Sequence, residues 1–543
     1  MNKLNGNSQT NTGTRSTVNN IYTLASSLVS TLLAAGLFLF AVSPVLAGDA
    51  GKTYDIVIEN GKIIDGTGNP WYYGDIGIIG DKIIRVGCLK ESPALRRIDV
   101  NQMFVSPGFI DIHTHSDNVI LRIPTADNSV RQGLTTIVAG NCGGSSVAVA
   151  DFLKEVSDTG ISINYITLIG HNSVRRQVMG SENRAPTSNE LSEMKNIIEK
   201  SMQDGAFGLS TGLYYTPGFY AETSEIIALA RVAAEYGGIY VSHIRDESDY
   251  NIGLLAAIEE AVTVGEQANI RVQVSHLKCL GKPVWHKSDE VLKLMDDARN
   301  RGVNIMFDQY PYTASSTGLW GAVVPAWAQE GGTKMFLERL EDSGVKERVR
   351  REMRDNIDRR GGAHTLLVIN ENAYLSELSE NWNMDPVDAA IAIQKNGGSS
   401  VISFNMTDYD LENFLRSPFG MVGSDGNISS PGSGGHPRSF GAFPRVLGVY
   451  VREKNILSWE EAVRKMTSAP ATQLGLLDRG IIRPGMMADI VVFDPETVSD
   501  MATYQEPSLD PKGIPYVLVN GRIVIDNENH TGVKSGKVLK KNK

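Results

Sequence analysis

Two histidines one residue apart, His113 and His115, stand at the end of a short apolar run, Phe109 to Ile112, entered through Pro107-Gly108. Such a run reads as a buried strand. Alternation along a strand points both imidazoles to the same side. Two imidazoles side by side make half of a site for a divalent metal. The competing reading is two polar residues leaving a strand for solvent. The apolar approach, the Pro-Gly entry and the acidic Asp117 two places on favour the metal.

The elements that must position such a site alternate between strands and helices, which argues for parallel β/α units. Eight apolar runs are expected to be the strands: Phe109–Ile112, Thr135–Ala139, Tyr165–Ile169, Ala206–Leu209, Ile239–Ser242, Val272–Ser275, Val303–Phe307 and Met421–Gly423. Between them, Thr187 to Glu190 is a capping box opening a helix to about Met202. A second helix is expected from about Ser224 to Tyr236, and Ser288 is read as the cap of a third. Eight such units indicate an α/β fold of the (β/α)8 TIM-barrel type, whose site lies at the C-terminal strand ends.

The residues just past each run test that expectation. His113 and His115 come after the first, Cys142 in a glycine-rich loop after the second, and His171 after the third. His243 comes after the fifth, His276 with Lys278 and Cys279 after the sixth, Asp308 with Tyr310 and Tyr312 after the seventh, and Asp425 after the eighth. With His436 just beyond run eight, six of the nine histidines fall at such places. Cys142 could be a small core residue, but between glycines at a strand end it reads as a thiolate ligand. His243 and His276 could each be a satisfied core group; together they read as ligands. Asp425 could merely shape a turn; at the eighth strand end it reads as metal ligand and proton shuttle. His171 is read as standing behind the ligands, and His286, His364 and His530 as surface residues.

Composition sets the bounds. The chain has 543 residues, 41% hydrophobic and 21% charged, enough for a large enzyme domain with a smaller one. A net charge of -10 argues against nucleic acid as a partner. Three cysteines, Cys88, Cys142 and Cys279, are not a disulfide framework. Residues 1–47 read as a signal peptide: Lys3 and Arg15, an apolar run from about Leu24 to Val42, then small residues at Ser43 to Gly48. Export to the periplasm or outside the cell is expected. The rival is an uncleaved membrane anchor, the one way a membrane would be a partner. Hairpin signals at Asn60-Gly61 and Gly80-Asp81, and a matching texture after Gly480, suggest a small composite β-domain from 52–105 and 478–530. The barrel is then 106–477, with a charged helical insertion at about 318–373.

The residues from Pro107 to Asp117, Gly140 to Gly143, Ser242 to Glu247, Ser275 to Lys278, Tyr310 to Tyr312, Gly423 to Gly426, Gly435 to Arg438 and Pro484 to Asp489 together resemble the metal-dependent amidohydrolase superfamily, in its D-aminoacylase branch. The resemblance implies zinc-dependent hydrolysis of N-acyl-D-amino acids to a carboxylate and a free D-amino acid. It implies one tight Zn2+ held by Cys142, His243 and His276, and a second, weaker position near His113, His115 and Asp425. In many amidohydrolases a carboxylated lysine bridges two metals; Cys142 fits the cysteine that this branch puts there. One departure is Leu277 between His276 and Lys278, where the branch usually has a histidine. Metal-activated water would attack the acyl carbonyl while Asp425 takes its proton and returns it to the leaving amine. A substrate α-carboxylate wants fixed cations and hydroxyls, and Lys278, Tyr310, Ser316 and Arg438 are the candidates, Arg438 being otherwise a loop salt bridge. The rivals are a cyclic amidase of the dihydropyrimidinase or hydantoinase kind, against which Cys142 argues, and a non-catalytic binding protein of the same fold.

Overall fold

The computed structural model describes residues 52–541. The apolar amino-terminal run, and with it the signal-peptide expectation, lies outside the described residues. The first described elements are the strands Tyr54–Ile63 (β1), Tyr72–Ile79 (β2), Lys82–Gly87 (β3), Ala94–Asp99 (β4) and Phe104–Pro107 (β5). Alternating isoleucines explain them: Ile56, Ile58, Ile76, Ile78 and Ile83 are buried together, and β-branched side chains suit a pleated, half-buried surface. Gly80-Asp81 turns β2 into β3, while Asn60-Gly61 makes no hairpin. Asn60 is left-handed, with φ of 61°, and the β1–β2 register slips between Ile58 and Gly61. The extra residue is absorbed as a bulge and the strand runs on.

The chain then enters the barrel through Phe109–Asp111 (β6), Leu134–Ala139 (β7), Asn164–Thr167 (β8) and its continuation Ile169–Gly170 (β9). Gly208–Gly212 (β10), Ile239–His243 (β11), Arg271–Val274 (β12) and Ile305–Gln309 (β13) come next. The expected fourth run, Ala206–Leu209, shares Gly208 and Leu209 with β10 but starts two residues early and stops three short. Beyond Leu209 the strand is small and polar, Ser210, Thr211 and Gly212, which apolar content does not mark. Between β13 and the last barrel strand come Ser315–Gly318 (β14), Leu366–Val368 (β15), Ala373–Tyr374 (β16) and Ser400–Ser403 (β17). These four form an antiparallel sheet with helices and a core of their own. The insertion expected at 318–373 therefore reaches to Ser403, because β17 returns to pair with β14.

Gly420–Val422 (β18) completes the barrel. The parallel ladders run β6-β7-β8 and β9-β10-β11-β12-β13-β18. The ring closes just past the strand ends. The Asp425 N–H donates to the His113 carbonyl at 2.9 Å, and the His115 N–H to the Gly426 carbonyl at 2.8 Å. Closure thus seats Asp425 directly beside the first histidine pair. Ile490–Phe493 (β19), Tyr516–Val519 (β20), Arg522–Asp526 (β21) and Asn529–His530 (β22) then rejoin the first sheet, β19 antiparallel to β5.

Helices cover the ring. The helix Ser188–Asp204 opens on the reciprocal box of Thr187 and Glu190 and buries Met194, Ile198 and Met202 on one face. The helix Thr223–Glu235 ends before the Gly237-Gly238 break. Ser288 is not a cap: it is the first residue of the helix Ser288–Asn300, and its N–H donates to Asp410 Oδ1 at 3.2 Å. A carboxylate distant in sequence performs the task that sequence assigned to a local hydroxyl.

Candidate active site

Three of the expected histidines converge on one sulfur. Cys142 Sγ lies 3.4 Å from His113 Nε2, 3.5 Å from His243 Nδ1 and 3.4 Å from His276 Nε2. A sulfhydryl carries one proton and cannot satisfy three ring nitrogens. Around a zinc with nitrogen at about 2.0 Å and sulfur at about 2.3 Å, neighbouring donors of a tetrahedron lie roughly 3.5 Å apart. The donor set therefore fits a divalent cation both in chemistry and in spacing. A second group adjoins it: Asp425 Oδ1 is 3.0 Å from His115 Nε2 and 3.6 Å from His113 Nε2. Donor atoms of His113, His276 and Asp425 all fall within 4.8 Å of one another, as do those of His113, His115 and Cys142.

Each donor arrives from a strand end, on a backbone held tightly. His113 follows β6, His243 ends β11, His276 follows β12 and Asp425 follows β18. Cys142, His276 and Asp425 have φ of 52°, 35° and 48°, a region that costs side-chain-bearing residues on the order of 1–3 kcal/mol each. Glycines make room for the cysteine loop. A Cβ on Gly212 would stand 2.2 Å from the Cys142 carbonyl oxygen, and one on Gly143 2.1 Å from Asn172 Oδ1. Three of the converging donors thus sit on left-handed backbone, so packing is sustaining geometry that the local chain does not prefer.

Carboxylates stand behind the imidazoles. His113 Nδ1 is 3.3 Å from Asp308 Oδ1 and His276 Nδ1 is 3.1 Å from Glu247 Oε1. Carboxylates so placed orient the rings of metal-binding histidines, and Lys278 Nζ also reaches His276 Nδ1 at 2.9 Å. Asp308 also accepts from the His276 N–H at 2.9 Å and from Gln273 Nε2 at 2.6 Å. Burial would push the Cys142 thiol up, but His113 and His276 hold it well below its usual value. Burial would likewise raise Asp425, and Arg438 with His276 holds it far down. Burial lowers His243, leaving it the neutral imidazole that a cation requires.

These groups open onto a cavity of about 730 Å³ whose walls include Lys278, Tyr310, Ser316 and Arg438. Lys278 Nζ donates to Glu247 Oε1 at 2.6 Å, and Arg438 Nη1 pairs with Asp425 Oδ2 at 2.8 Å. The Arg438 guanidinium lies over the Tyr310 ring, 4.8 Å from its centre. His436 accepts the Arg438 N–H on Nδ1 at 3.1 Å and so helps to place it. Tyr214 and Tyr215 wall the cavity beside His243, their ring centres 5.7 and 4.7 Å from the imidazole.

His171 is elsewhere. Its Nε2 is 2.8 Å from Glu225 Oε1, in a buried network with Arg175, and it does not stand behind the ligands. Cys279 is buried in the apolar core, which pushes its thiol up, and Cys88 is exposed. Sequence reading placed Asp308 at the seventh strand end and Glu247 in the motif after the fifth without giving either a role, and it missed Arg360. Glu247 follows His243 by four residues and Asp308 closes a barrel strand, so both had a positional signal. Arg360 had none.

A family model described as "Amidohydrolase family" matches residues 96–525. D-aminoacylase of Alcaligenes xylosoxydans xylosoxydans is 34% identical over 520 residues, covering 90% of this chain and 98% of that protein. N-acyl-D-glutamate deacylase of the same organism is 36% identical over 491 residues, 86% of this chain and 93% of that one. The solved structure of N-acyl-D-glutamate deacylase from Bordetella Bronchiseptica, complexed with zinc and a phosphonate mimic of the tetrahedral intermediate, is similar with a TM-score of 0.77. It is 34% identical and covers 90% of this chain and all of that one.

Proposed function

The chain belongs to the amidohydrolase family, and on that premise we propose that it is a zinc-dependent N-acyl-D-amino-acid deacylase. The observation that carries this reading is the convergence of His113, His243 and His276 on Cys142 Sγ with Asp425 adjacent. Cys142, His243 and His276 hold the tight zinc. His113, His115 and Asp425 frame a second, weaker position. Zinc bound here supplies an activated water near neutral pH and polarises the scissile carbonyl.

The chain's own groups do the rest. Asp425, ionised beside Arg438, accepts a proton from the attacking water on a carboxylate oxygen and delivers it to the amide nitrogen as the C–N bond breaks. The products are a carboxylate and a free amino acid. Lys278, Tyr310, Ser316 and Arg438 receive the α-carboxylate, with Lys278 steadied by Glu247 and Arg438 by Asp425. The preference for D-substrates rests on the names of the relatives. The apolar amino-terminal run supports export of the protein, which fractionation of cells carrying the full chain tests.

The deciding experiment is release of free amine from matched N-acetyl-D- and N-acetyl-L-amino acids by zinc-loaded protein, with hydantoin as a further substrate. The D-series is expected to be favoured on the order of a hundredfold or more, and hydantoin to stay closed. Equal turnover of both series, or opening of hydantoin alone, overturns the reading.

A further inference from the structure

Five arginines are buried among the described residues: Arg175, Arg245, Arg360, Arg438 and Arg479. Four hold a carboxylate. Arg175 pairs with Glu225 at 2.5 Å, Arg245 with Glu260 at 2.8 Å, Arg438 with Asp425 at 2.8 Å, and Arg479 with Asp489. Arg360 is the exception. It is 2% exposed and has no ion-pair partner among the described residues. Its Nε donates to the Ala322 carbonyl at 3.0 Å, Nη1 to Ser403 Oγ at 3.2 Å and Nη2 to Tyr214 Oη at 3.1 Å. All three acceptors are neutral. The guanidinium also faces the Tyr250 ring, 5.8 Å from its centre, which attracts a cation but carries no counter-charge. With five N–H donors in a planar fork and no deprotonation, a charge without an anion and two donors are left over.

That charge is in the wall of the active-site cavity. Arg360 follows the helix Ser343–Arg359 of the inserted segment, whose carbonyl end favours a cation but supplies no counter-charge of its own. The Tyr214 ring that Arg360 contacts stacks on His243, so the guanidinium stands one tyrosine beyond a zinc-binding imidazole. The cations expected to meet the α-carboxylate, Lys278 and Arg438, already have internal partners, Glu247 and Asp425. Burying an uncompensated charge is costly unless an anion arrives to pair with it.

We propose that Arg360 determines substrate specificity by receiving a second carboxylate, so that the preferred substrates are N-acyl-D-amino acids bearing an anionic group besides the α-carboxylate. The inference rests on the deacylase reading and narrows it. The second carboxylate belongs either to the amino-acid side chain or to the acyl group; the chemistry that Arg360 offers, a bidentate fork, is the same for both.

Two matched pairs separate the sources on zinc-loaded enzyme. N-acetyl-D-glutamate against N-acetyl-D-glutamine reports a side-chain carboxylate. N-succinyl-D-methionine against N-butanoyl-D-methionine reports an acyl carboxylate. One pair is expected to show a kcat/KM preference of at least about tenfold for the anionic member, the scale of one charge-assisted contact. Arg360→Gln is expected to abolish that preference and Arg360→Lys to restore part of it. An arginine that merely held Tyr214 in place would slow both members of a pair alike. Preferences within about twofold for both pairs, or a preference that survives Arg360→Gln, overturn the proposal. Calorimetric binding of the same pairs to the unaltered protein needs no variant to fold and no turnover. It decides for Arg360 even if none of the compounds is hydrolysed, an outcome that would count against the deacylase reading instead.

Discussion

Arg438 and Asp425 form a buried ion pair, Nη1 to Oδ2 at 2.8 Å, while the other oxygen of Asp425 faces His115 and His113. One guanidinium is thereby shared between two tasks. It keeps the Asp425 carboxylate ionised, and it stands over Tyr310 in the cavity where a substrate carboxylate is expected. A substrate anion that draws on Arg438 loosens its grip on Asp425 and makes that carboxylate a stronger base when a proton must be taken. Binding and proton transfer are coupled through one side chain.

Asp425→Asn keeps the shape of the residue and removes its basicity. The expected loss in kcat is on the order of 10²–10⁴-fold, the span of general acid–base catalysis. Zinc content should stay near that of the unaltered protein, because Cys142, His243 and His276 remain. Turnover on N-acetyl-D-methionine with parallel atomic absorption checks both halves; near-normal kcat with full zinc would remove Asp425 from the chemistry.

Cys142→Ser replaces the sulfur on which three imidazoles converge. A neutral hydroxyl is a poor zinc ligand beside a thiolate. After dialysis against a mild chelator the variant is expected to have lost its zinc and its activity while the parent retains both. The measurement is zinc per chain at each chelator concentration. Equal retention by variant and parent would place the tight metal elsewhere.

Much of this site was legible because a barrel turns chain order into geometry. Each apolar run ends at the same mouth, so His113, Cys142, His243, His276 and Asp425 could be read as neighbours although more than three hundred residues separate the first from the last. The reading failed where that conversion fails. Gly208–Gly212 is mostly small and polar past Leu209, and apolar content caught only its first two residues. Asp410, at long range, accepts an N–H at the start of the helix Ser288–Asn300, where a local rule expected Ser288 itself to be the cap. Arg360 lies in the inserted segment, where no strand end announces a functional position. Only folding sets it against Tyr214 and the cavity.

Glu247 accepts from Lys278 at 2.6 Å and stands 3.1 Å from His276 Nδ1. Glu247→Gln is nearly isosteric but removes the charge that orients the ligand imidazole. Replacing such a partner typically costs about 10–100-fold in metal affinity or activity. Zinc affinity, followed by competition with a chromophoric chelator, is expected to fall in that range, and KM to rise as Lys278 loses its anchor. Unchanged zinc affinity would show that His276 needs no carboxylate behind it.

Arg438→Met tests the shared guanidinium through its pH profile. Arg438 lowers the pKa of Asp425, so its removal raises that pKa. The ionised base is present only above its pKa, and the acid limb of kcat/KM must therefore move to higher pH. A residue that served only to bind the substrate carboxylate would raise KM and leave the limb where it was. One lost charge-assisted contact is worth about 1.5–3 kcal/mol, so KM is expected to rise by roughly 10- to 150-fold. The profile is measured under saturating zinc, so that ligand protonation does not mimic the shift. If the limb holds still while KM rises, the coupling between Arg438 and Asp425 is structural and the two tasks are separate.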